Sequence, residues 1–233
     1  MWLRSSSLKS ETEGFITAAQ DQSLKTRNYL RNIMKTESIS NCRLCDEKLE
    51  TIDHLISGCP ILAKTEYLRR HNRIAQYIHW HVCKVYHFQV SNRWYDHKTP
   101  AVMENNLAVV MWDFPIQTDR TIKANRPDII IKDKDNKTCL MIDVSVPADV
   151  NTSLKIYEKL SKYKDLEIEI ERSWKLKAKT VPIVIGALGT VNKNTEKYLD
   201  EVPGDISITE VQKQALLGTT YILRKVLSIN TLH

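Results

Sequence analysis

The sequence predicts an α/β fold in which a mixed β-sheet flanked by helices follows a small, mostly helical module. The sheet and its helices are predicted because short runs rich in β-branched residues alternate with longer stretches whose apolar residues recur at helical spacing. The module is predicted because Cys and His residues cluster in a segment with few apolar side chains. The 233 residues contain no internal repeat, so the length fits one main domain and a smaller unit.

The N-terminal half is predicted to be helical. Apolar residues at helical spacing predict a helix over residues 11–35 and a long basic helix from about 61 to 87. The polar stretch 91–100 marks a predicted boundary. The predicted domains are therefore a helical linker region over 1–41, the Cys- and His-containing module with its basic helix over 42–90, and the α/β domain over 100–233.

The C-terminal half is predicted to alternate strands and helices. Residues 107–112 are predicted to form a first strand, and Glu104 just before it is a further candidate acid. Two strands then follow, joined by a charged loop in which Asp135 and Asn136 favour a turn. The remaining predicted elements are strands at 129–131, 140–146 and 181–187, a helix over about 150–172, and a last helix that the capping box Ser207–Glu210 opens.

Composition and charge limit the class of protein. No run approaches eighteen apolar residues, so neither a membrane span nor a signal peptide is expected. Five cysteines, an odd number, point to a reducing intracellular compartment. Residues 1–100 carry a net charge of +5 and residues 101–233 a net charge of +1. The N-terminal half is therefore the expected contact surface for a phosphate backbone, although a basic balance is often only a solvated surface.

Two acids, Asp128 and Asp143, stand out in the predicted strand pair. Pro127 cannot donate a ladder hydrogen bond, so it belongs where a strand begins, one residue before Asp128. If the two apolar runs pair as a hairpin, both carboxylates lie where one divalent cation can bridge them, as a metal-dependent nuclease requires. Spacing alone leaves a second interpretation open, in which both are solvated acids at strand ends.

The cysteine and histidine pattern predicts a structural zinc site. Cys42 and Cys45 form a Cys-x-x-Cys turn, and His54 and Cys59 follow at spacings that can complete a tetrahedron on Zn²⁺. The alternative is a set of buried, reduced thiols. A rival group of potential ligands is interpreted instead as packing or surface residues of a helix, because His79 and His81 would point apart there; its members are His79, His81 and Cys83, near His71 and His87. Cys83 and Cys139 are interpreted as core thiols.

These residues together resemble a known family. Arg126-Pro127-Asp128 and the later Ile-Asp143-Val-Ser-Val-Pro are similar to the restriction-like endonuclease at the C-terminus of site-specific non-LTR retrotransposon proteins, a branch of the PD-(D/E)XK nucleases. The resemblance covers nearly the whole chain, through Glu11–Gln20, the Cys and His motif of the CCHC type, Glu158–Tyr163, Val181–Gly189 and the segment Ala215-Leu-Leu-Gly-Thr. It implies a restriction-endonuclease-like sheet, with Mg²⁺ held by Asp128 and Asp143.

The resemblance also implies a catalytic lysine, which this chain supplies unusually. Most PD-(D/E)XK enzymes place a lysine two residues after the second acid, where this chain has Ser145. The retrotransposon branch takes the lysine from the following helix, where Lys155, Lys159 and Lys162 share one predicted face. Lys159 and Lys162 are the favoured catalytic pair, because family proteins have a similar Glu-Lys-x-x-Lys-Tyr pattern. A solvent-facing basic stripe is the alternative for any one lysine.

The expected function is Mg²⁺-dependent DNA nicking in the nucleus, which in the parent proteins frees a 3′ hydroxyl that primes reverse transcription. DNA is the expected partner and element RNA a second candidate; a chain of this length has no room for a polymerase domain. The expected nucleic-acid contacts are Lys64, Arg69, Arg70, Arg73, Lys84 and Arg126. Two alternatives remain: a catalytically inactive nucleic-acid-binding remnant or domesticated protein, and a zinc-stabilised protein-interaction module.

Overall fold

The computed structural model describes residues 8–229. The predicted absence of a signal peptide concerns Met1–Ser7, which lie outside this range. Helix α1 (Ser10–Gln20) is followed by the short α2 (Arg27–Tyr29), which continues into a π-helical turn, Leu30–Met34. The prediction of one helix over 11–35 was wrong, because the chain turns after Gln20 and Gln22 adopts a left-handed backbone conformation.

A nearly continuous helical segment carries the predicted basic helix. It runs through a π-helical turn at His54–Gly58, the short α3 (Pro60–Leu62), a second π-helical turn at Ala63–Tyr67, and the long α4 (Leu68–Val85). Pro60 suits the first position of α3, where a missing backbone N–H costs nothing. The segment ends close to the predicted residue 87, and His87 itself has a positive φ.

The sheet has five strands in the order β1 (Val102–Glu104), β2 (Ala108–Trp112), β3 (Ile129–Asp133), β4 (Thr138–Ser145) and β5 (Lys177–Val184). The first four are antiparallel neighbours, and β5 pairs parallel to β4. The chain is therefore mixed α/β with a mixed sheet, as predicted. The strand predicted to come first, residues 107–112, corresponds to β2, because β1 precedes it and contains Glu104.

The described chain after β4 contains four α-helices. The predicted single helix over 150–172 is two helices, α5 (Thr152–Lys162) and α6 (Lys164–Trp174), which meet at the buried Tyr163. Two more helices complete the chain, α7 (Lys193–Asp200) and α8 (Ile208–Leu227). The Ser207 hydroxyl accepts a hydrogen bond from the Glu210 backbone N–H, which is one half of the predicted capping box. The Ser207 backbone N–H donates to the Tyr77 hydroxyl instead of to Glu210.

Both faces of the sheet are covered, which explains the uninterrupted apolar runs of β3 and β4. Ile129 and Ile142 pack with residues of α4 and α8 in one core. Ile130 and Met141 point to the opposite face and pack with Tyr163 and with residues of α6. A third core joins residues 42–62 to the C-terminal end of α8. Within the described part of the chain, no helix is both long and apolar enough to span a bilayer.

Candidate functional site

The two predicted acids lie at the same end of the β3–β4 pair and line the same cleft. Ile129 on β3 pairs with Ile142 on β4, so the same antiparallel register brings Asp128 opposite Asp143 one residue farther on. Side chains alternate along a strand, and Met141 therefore shares the face of Asp143. The hairpin turn lies at the other end of the two strands, so the acids stand at its open end. Both line one open cleft of about 540 Å³.

Asp143 is almost completely buried and is held by three side chains from the junction of α5 and α6. The Tyr163 hydroxyl donates a hydrogen bond to Asp143 Oδ1 over 2.7 Å. The Lys159 ammonium contacts Asp143 Oδ2, and Lys162 Nζ lies 3.9 Å from Oδ1. A carboxylate that is 3% exposed needs such compensation, because an unpaired buried charge is very costly. The break in the helix at Tyr163 thus places three polar groups on one carboxylate.

Asp128 is held by a histidine that the sequence did not connect with it. Its Oδ2 accepts a hydrogen bond from the Val144 backbone N–H at 2.6 Å and lies 2.9 Å from His71 Nε2. Burial alone would raise the pKa of Asp128, but the hydrogen bond and charge of His71 outweigh it and lower the pKa. Burial likewise opposes protonation of His71, yet Asp128 raises the pKa of that imidazole. The two groups therefore stabilise each other as an ion pair.

The cleft is positively charged around the acids. Lys155, Lys159 and Lys162 all line it, as does Ser145. Burial is the main reason why the pKa of Lys159 falls to about 8, and the neighbouring Lys162 lowers it further. Lys155 instead pairs with Glu158 on its own helix. Of these three lysines, the two favoured from the sequence, Lys159 and Lys162, are thus the two that pair with Asp143.

The four predicted zinc ligands come together. Cys42, Cys45, His54 and Cys59 each offer a ligand atom, and these atoms all lie within 4.8 Å of one another. Cys45 Sγ is 3.3 Å from His54 Nε2. Burial raises the pKa of Cys42 to about 12, whereas burial of Cys45 is outweighed by the backbone N–H groups of Glu47 and Lys48, which lower its pKa. This Cys3His cluster can bind a metal ion, and its ligands are those of a zinc site.

A buried ion pair that the sequence analysis missed supports the turn of the Cys3His cluster. Glu50 is fully buried and accepts hydrogen bonds from the backbone N–H and the guanidinium of Arg43, and from the Arg27 backbone N–H. Burial would raise the pKa of Glu50, but these donors lower it. Arg43 stands between Cys42 and Cys45, so the pair fixes the loop that carries two ligands.

The predicted nucleic-acid contacts are placed differently from one another. Arg70 is 3% exposed, and its guanidinium donates to the Thr219 hydroxyl and to the Ile56 and Val146 carbonyls. This burial and these three acceptors indicate a structural role, in contrast to the phosphate contact predicted for this position. Arg126 is exposed but pairs with Asp113. The other four predicted contacts are exposed on the helical segment before the sheet: Lys64, Arg69, Arg73 and Lys84.

Two secondary predictions change. Glu104 is exposed on the edge strand β1 and pairs with Lys134 at 2.7 Å, so it is not part of the acid pair. His79 and His81 do point apart, as predicted for a helix, but His79 and Cys83 form a second potential metal-binding group with His97. His97 lies in the polar stretch that was interpreted only as a boundary.

Comparison with known proteins does not test the resemblance to the retrotransposon endonucleases, which remains a prediction from the sequence. No protein-family model matches this chain, and no curated protein sequence matches it.

Proposed function

We propose that this chain is a Mg²⁺-dependent DNA endonuclease with a restriction-endonuclease-like fold, which nicks target DNA for the integration of a retrotransposon. The observation that carries the proposal is the convergence of Asp128, Asp143 and Lys159 on one open cleft. Acids at the ends of two neighbouring strands, next to a mostly buried lysine, supply both the cation ligands and the positive charge that phosphodiester hydrolysis needs. The mixed sheet, with the acids at the open end of a hairpin, agrees with the proposed fold.

The acid pair fits a magnesium ion by its donor chemistry. Mg²⁺ is usually bound through one or two carboxylates and keeps several waters, and Asp128 and Asp143 offer two carboxylates at an open cleft. When bound there, the ion would polarise the phosphate and lower the pKa of an attacking water. Asp143 is oriented for this role by Tyr163, and Asp128 by His71 and the Val144 N–H.

The lysines would act on the phosphate. Lys159 is mostly buried and adjoins Asp143, so its charge is little screened by solvent. It would stabilise the negative charge that develops on the pentavalent phosphate. Lys162 is about half exposed and hydrogen bonds to the Tyr163 hydroxyl, from which it can reach the DNA backbone next to the cleft.

The helical segment before the sheet would bind the nucleic acid. Two of its exposed cations, Lys64 and Arg69, lie near the N-terminal end of α4. They are close in sequence to Tyr67 and His71, which line the cleft. Neutralising phosphates releases counterions, so affinity for DNA should fall steeply as salt rises. We further propose that Zn²⁺ is the ion of the Cys3His cluster and that the protein acts in the nucleus, where its DNA substrate is found.

Nicking of supercoiled plasmid tests the proposal. Wild-type protein is expected to convert supercoiled to open-circular DNA with Mg²⁺ and not with EDTA, and Asp143→Ala to abolish nicking while DNA binding remains. Asp135→Ala is the matched control, because Asp135 is an exposed acid in the hairpin turn at the other end of the same strands. Undiminished cleavage by Asp143→Ala would refute the assignment of the site. DNA binding by wild-type protein without any nicking would instead favour the inactive remnant.

A further inference from the structure

A second group of potential metal ligands lies away from the proposed nuclease site. His79 and Cys83 are fully buried, and His97 is 5% exposed. His79 Nδ1 is 2.8 Å from His97 Nε2 and 3.5 Å from Cys83 Sγ. One ligand atom from each of the three residues lies within 4.8 Å of the others. Two imidazoles and a thiol thus converge on one point inside the protein.

The local fold explains how these three side chains meet. His79 and Cys83 are four residues apart on α4, so they lie on the same helical face. The chain then reverses, and the helical turn Trp94–Asp96 returns to α4. Trp80 Nε1 donates to the Ser91 carbonyl, and the Gln76 side-chain amide donates to the His97 carbonyl. These two hydrogen bonds hold the returning loop with His97 directed at the helix.

We propose that His79, Cys83 and His97 bind one transition-metal ion of the class that prefers thiolate and imidazole ligands, namely Zn²⁺ or Cu⁺. These donor types are the ones that both ions select. The proposed site is independent of the Cys3His cluster and of the proposed nuclease activity, because it shares no residue with either.

The distances suit such an ion. Metal–nitrogen bonds of about 2.0 Å and metal–sulfur bonds of about 2.3 Å place tetrahedral ligand atoms roughly 3.3 to 3.5 Å apart. The separation of His79 Nδ1 and Cys83 Sγ already has this value, while the two ring nitrogens would move apart by about half an ångström. Met103 Sδ lies 3.6 Å from Cys83 Sγ and offers a fourth, soft ligand. Thioethers favour Cu⁺ over Zn²⁺, so a substitution of Met103 is expected to affect the binding of Cu⁺ and not that of Zn²⁺.

A bound ion would join three parts of the fold. His79 and Cys83 belong to α4, His97 to the loop that follows it, and Met103 to the edge strand β1. The His79 ring also packs nearly perpendicular to the Trp112 ring of β2, with ring centroids 5.5 Å apart. The ion would therefore fasten the long helix to the edge of the sheet, where the loop 86–101 otherwise provides the covalent connection.

Metal stoichiometry of the purified full-length chain tests the proposal. Zn²⁺ is added to one sample, and Cu⁺ under anaerobic reducing conditions to another; unbound metal is removed, and bound metal is counted by mass spectrometry. We expect two ions per wild-type chain with at least one of the two metals, and one fewer in Cys83→Ala and in His97→Gln. Cys139→Ala is the matched control, since Cys139 is equally buried in a different core, and it should retain both ions.

The results of these measurements distinguish Zn²⁺ from Cu⁺ and can refute the proposed site. If the second ion is Zn²⁺, Met103→Leu leaves its affinity unchanged; if it is Cu⁺, the same substitution weakens binding by about tenfold or more. Circular dichroism establishes that each variant is folded, and His97→Gln tests the site without altering α4. The proposal fails if wild-type chain binds a single ion with either metal and Cys42→Ala removes it. It also fails if folded Cys83→Ala and His97→Gln still bind two.

Discussion

Replacing Tyr163 with phenylalanine removes one oxygen atom from the candidate site and keeps the ring in place. Its hydroxyl donates to Asp143 Oδ1 and accepts from Lys162 Nζ, each over 2.7 Å. A hydrogen bond to a charged group contributes about 1.5–3 kcal/mol. If that energy orients Asp143 in the transition state, the nicking rate of Tyr163→Phe should fall by about 10- to 150-fold, since 1.36 kcal/mol is tenfold in rate.

The plasmid nicking assay measures this effect, with the Mg²⁺ concentration at half-maximal rate as a second readout. We expect that concentration to rise in Tyr163→Phe, because a less well-oriented carboxylate binds the ion more weakly. DNA affinity measured in EDTA should not change. Tyr157→Phe is the matched control, because Tyr157 is on the preceding helix, α5, and is 72% exposed. Wild-type rate and Mg²⁺ dependence in Tyr163→Phe, with Asp143→Ala inactive, would refute the positioning role.

Two further substitutions test buried polar groups of the fold. Arg70→Ala should lower the free energy of unfolding by about 3 kcal/mol, because it leaves the Ile56 and Val146 carbonyls without their donor. Arg69 is exposed on the same helix, so Arg69→Ala is the control and should lower that free energy by less than about 1 kcal/mol. A denaturant titration measures both changes. Asp133→Asn should be destabilising at pH 7. Burial would raise the pKa of Asp133, but the hydrogen-bond donors of Asn136 and Tyr86 outweigh it and lower the pKa in the folded protein. The ionised Asp133 carboxylate therefore stabilises the fold above about pH 4, and this stabilisation is lost as pH falls through the lower folded-state pKa. Denaturant titrations of wild-type protein and Asp133→Asn between pH 7 and pH 3 should therefore show that the difference in their free energies of unfolding shrinks at acid pH. A difference that stays constant with pH would contradict this role of Asp133.

The strand pair and its acids could be predicted because the signals are local. Uninterrupted Ile-rich runs predict strands buried on both faces, and the turn residues between them set the register that brings Asp128 opposite Asp143. The Cys3His ligands were also predictable, since their spacing fits one turn followed by a helix. Each of these inferences needs only residues within about twenty positions of one another.

The contacts that the sequence could not reveal are long-range. His71 reaches Asp128 across 57 residues, and helical periodicity gives no reason to pair them. Arg70 was grouped with exposed cations because charge predicts exposure, but its guanidinium lies between three elements. Tyr163 was hidden within one predicted helix, because both α5 and α6 have helical periodicity and only the packed structure reveals the break between them. His97 had no pattern at all, since it meets α4 only when the intervening loop folds back.

Helix α4 is the element that joins these sites. Its first turn carries Arg70, which binds the Ile56 carbonyl beside the Cys3His cluster and the Val146 carbonyl beyond β4, and His71, which binds Asp128. Gly218 on α8 lets this arginine pass, because a Cβ there would lie 2.5 Å from Arg70 Cγ. The Cys3His cluster and the acid pair are therefore linked through adjacent residues of one helix. If the cluster binds a metal ion, its removal should consequently disturb the position of His71, and with it the carboxylate of Asp128, before the sheet itself unfolds.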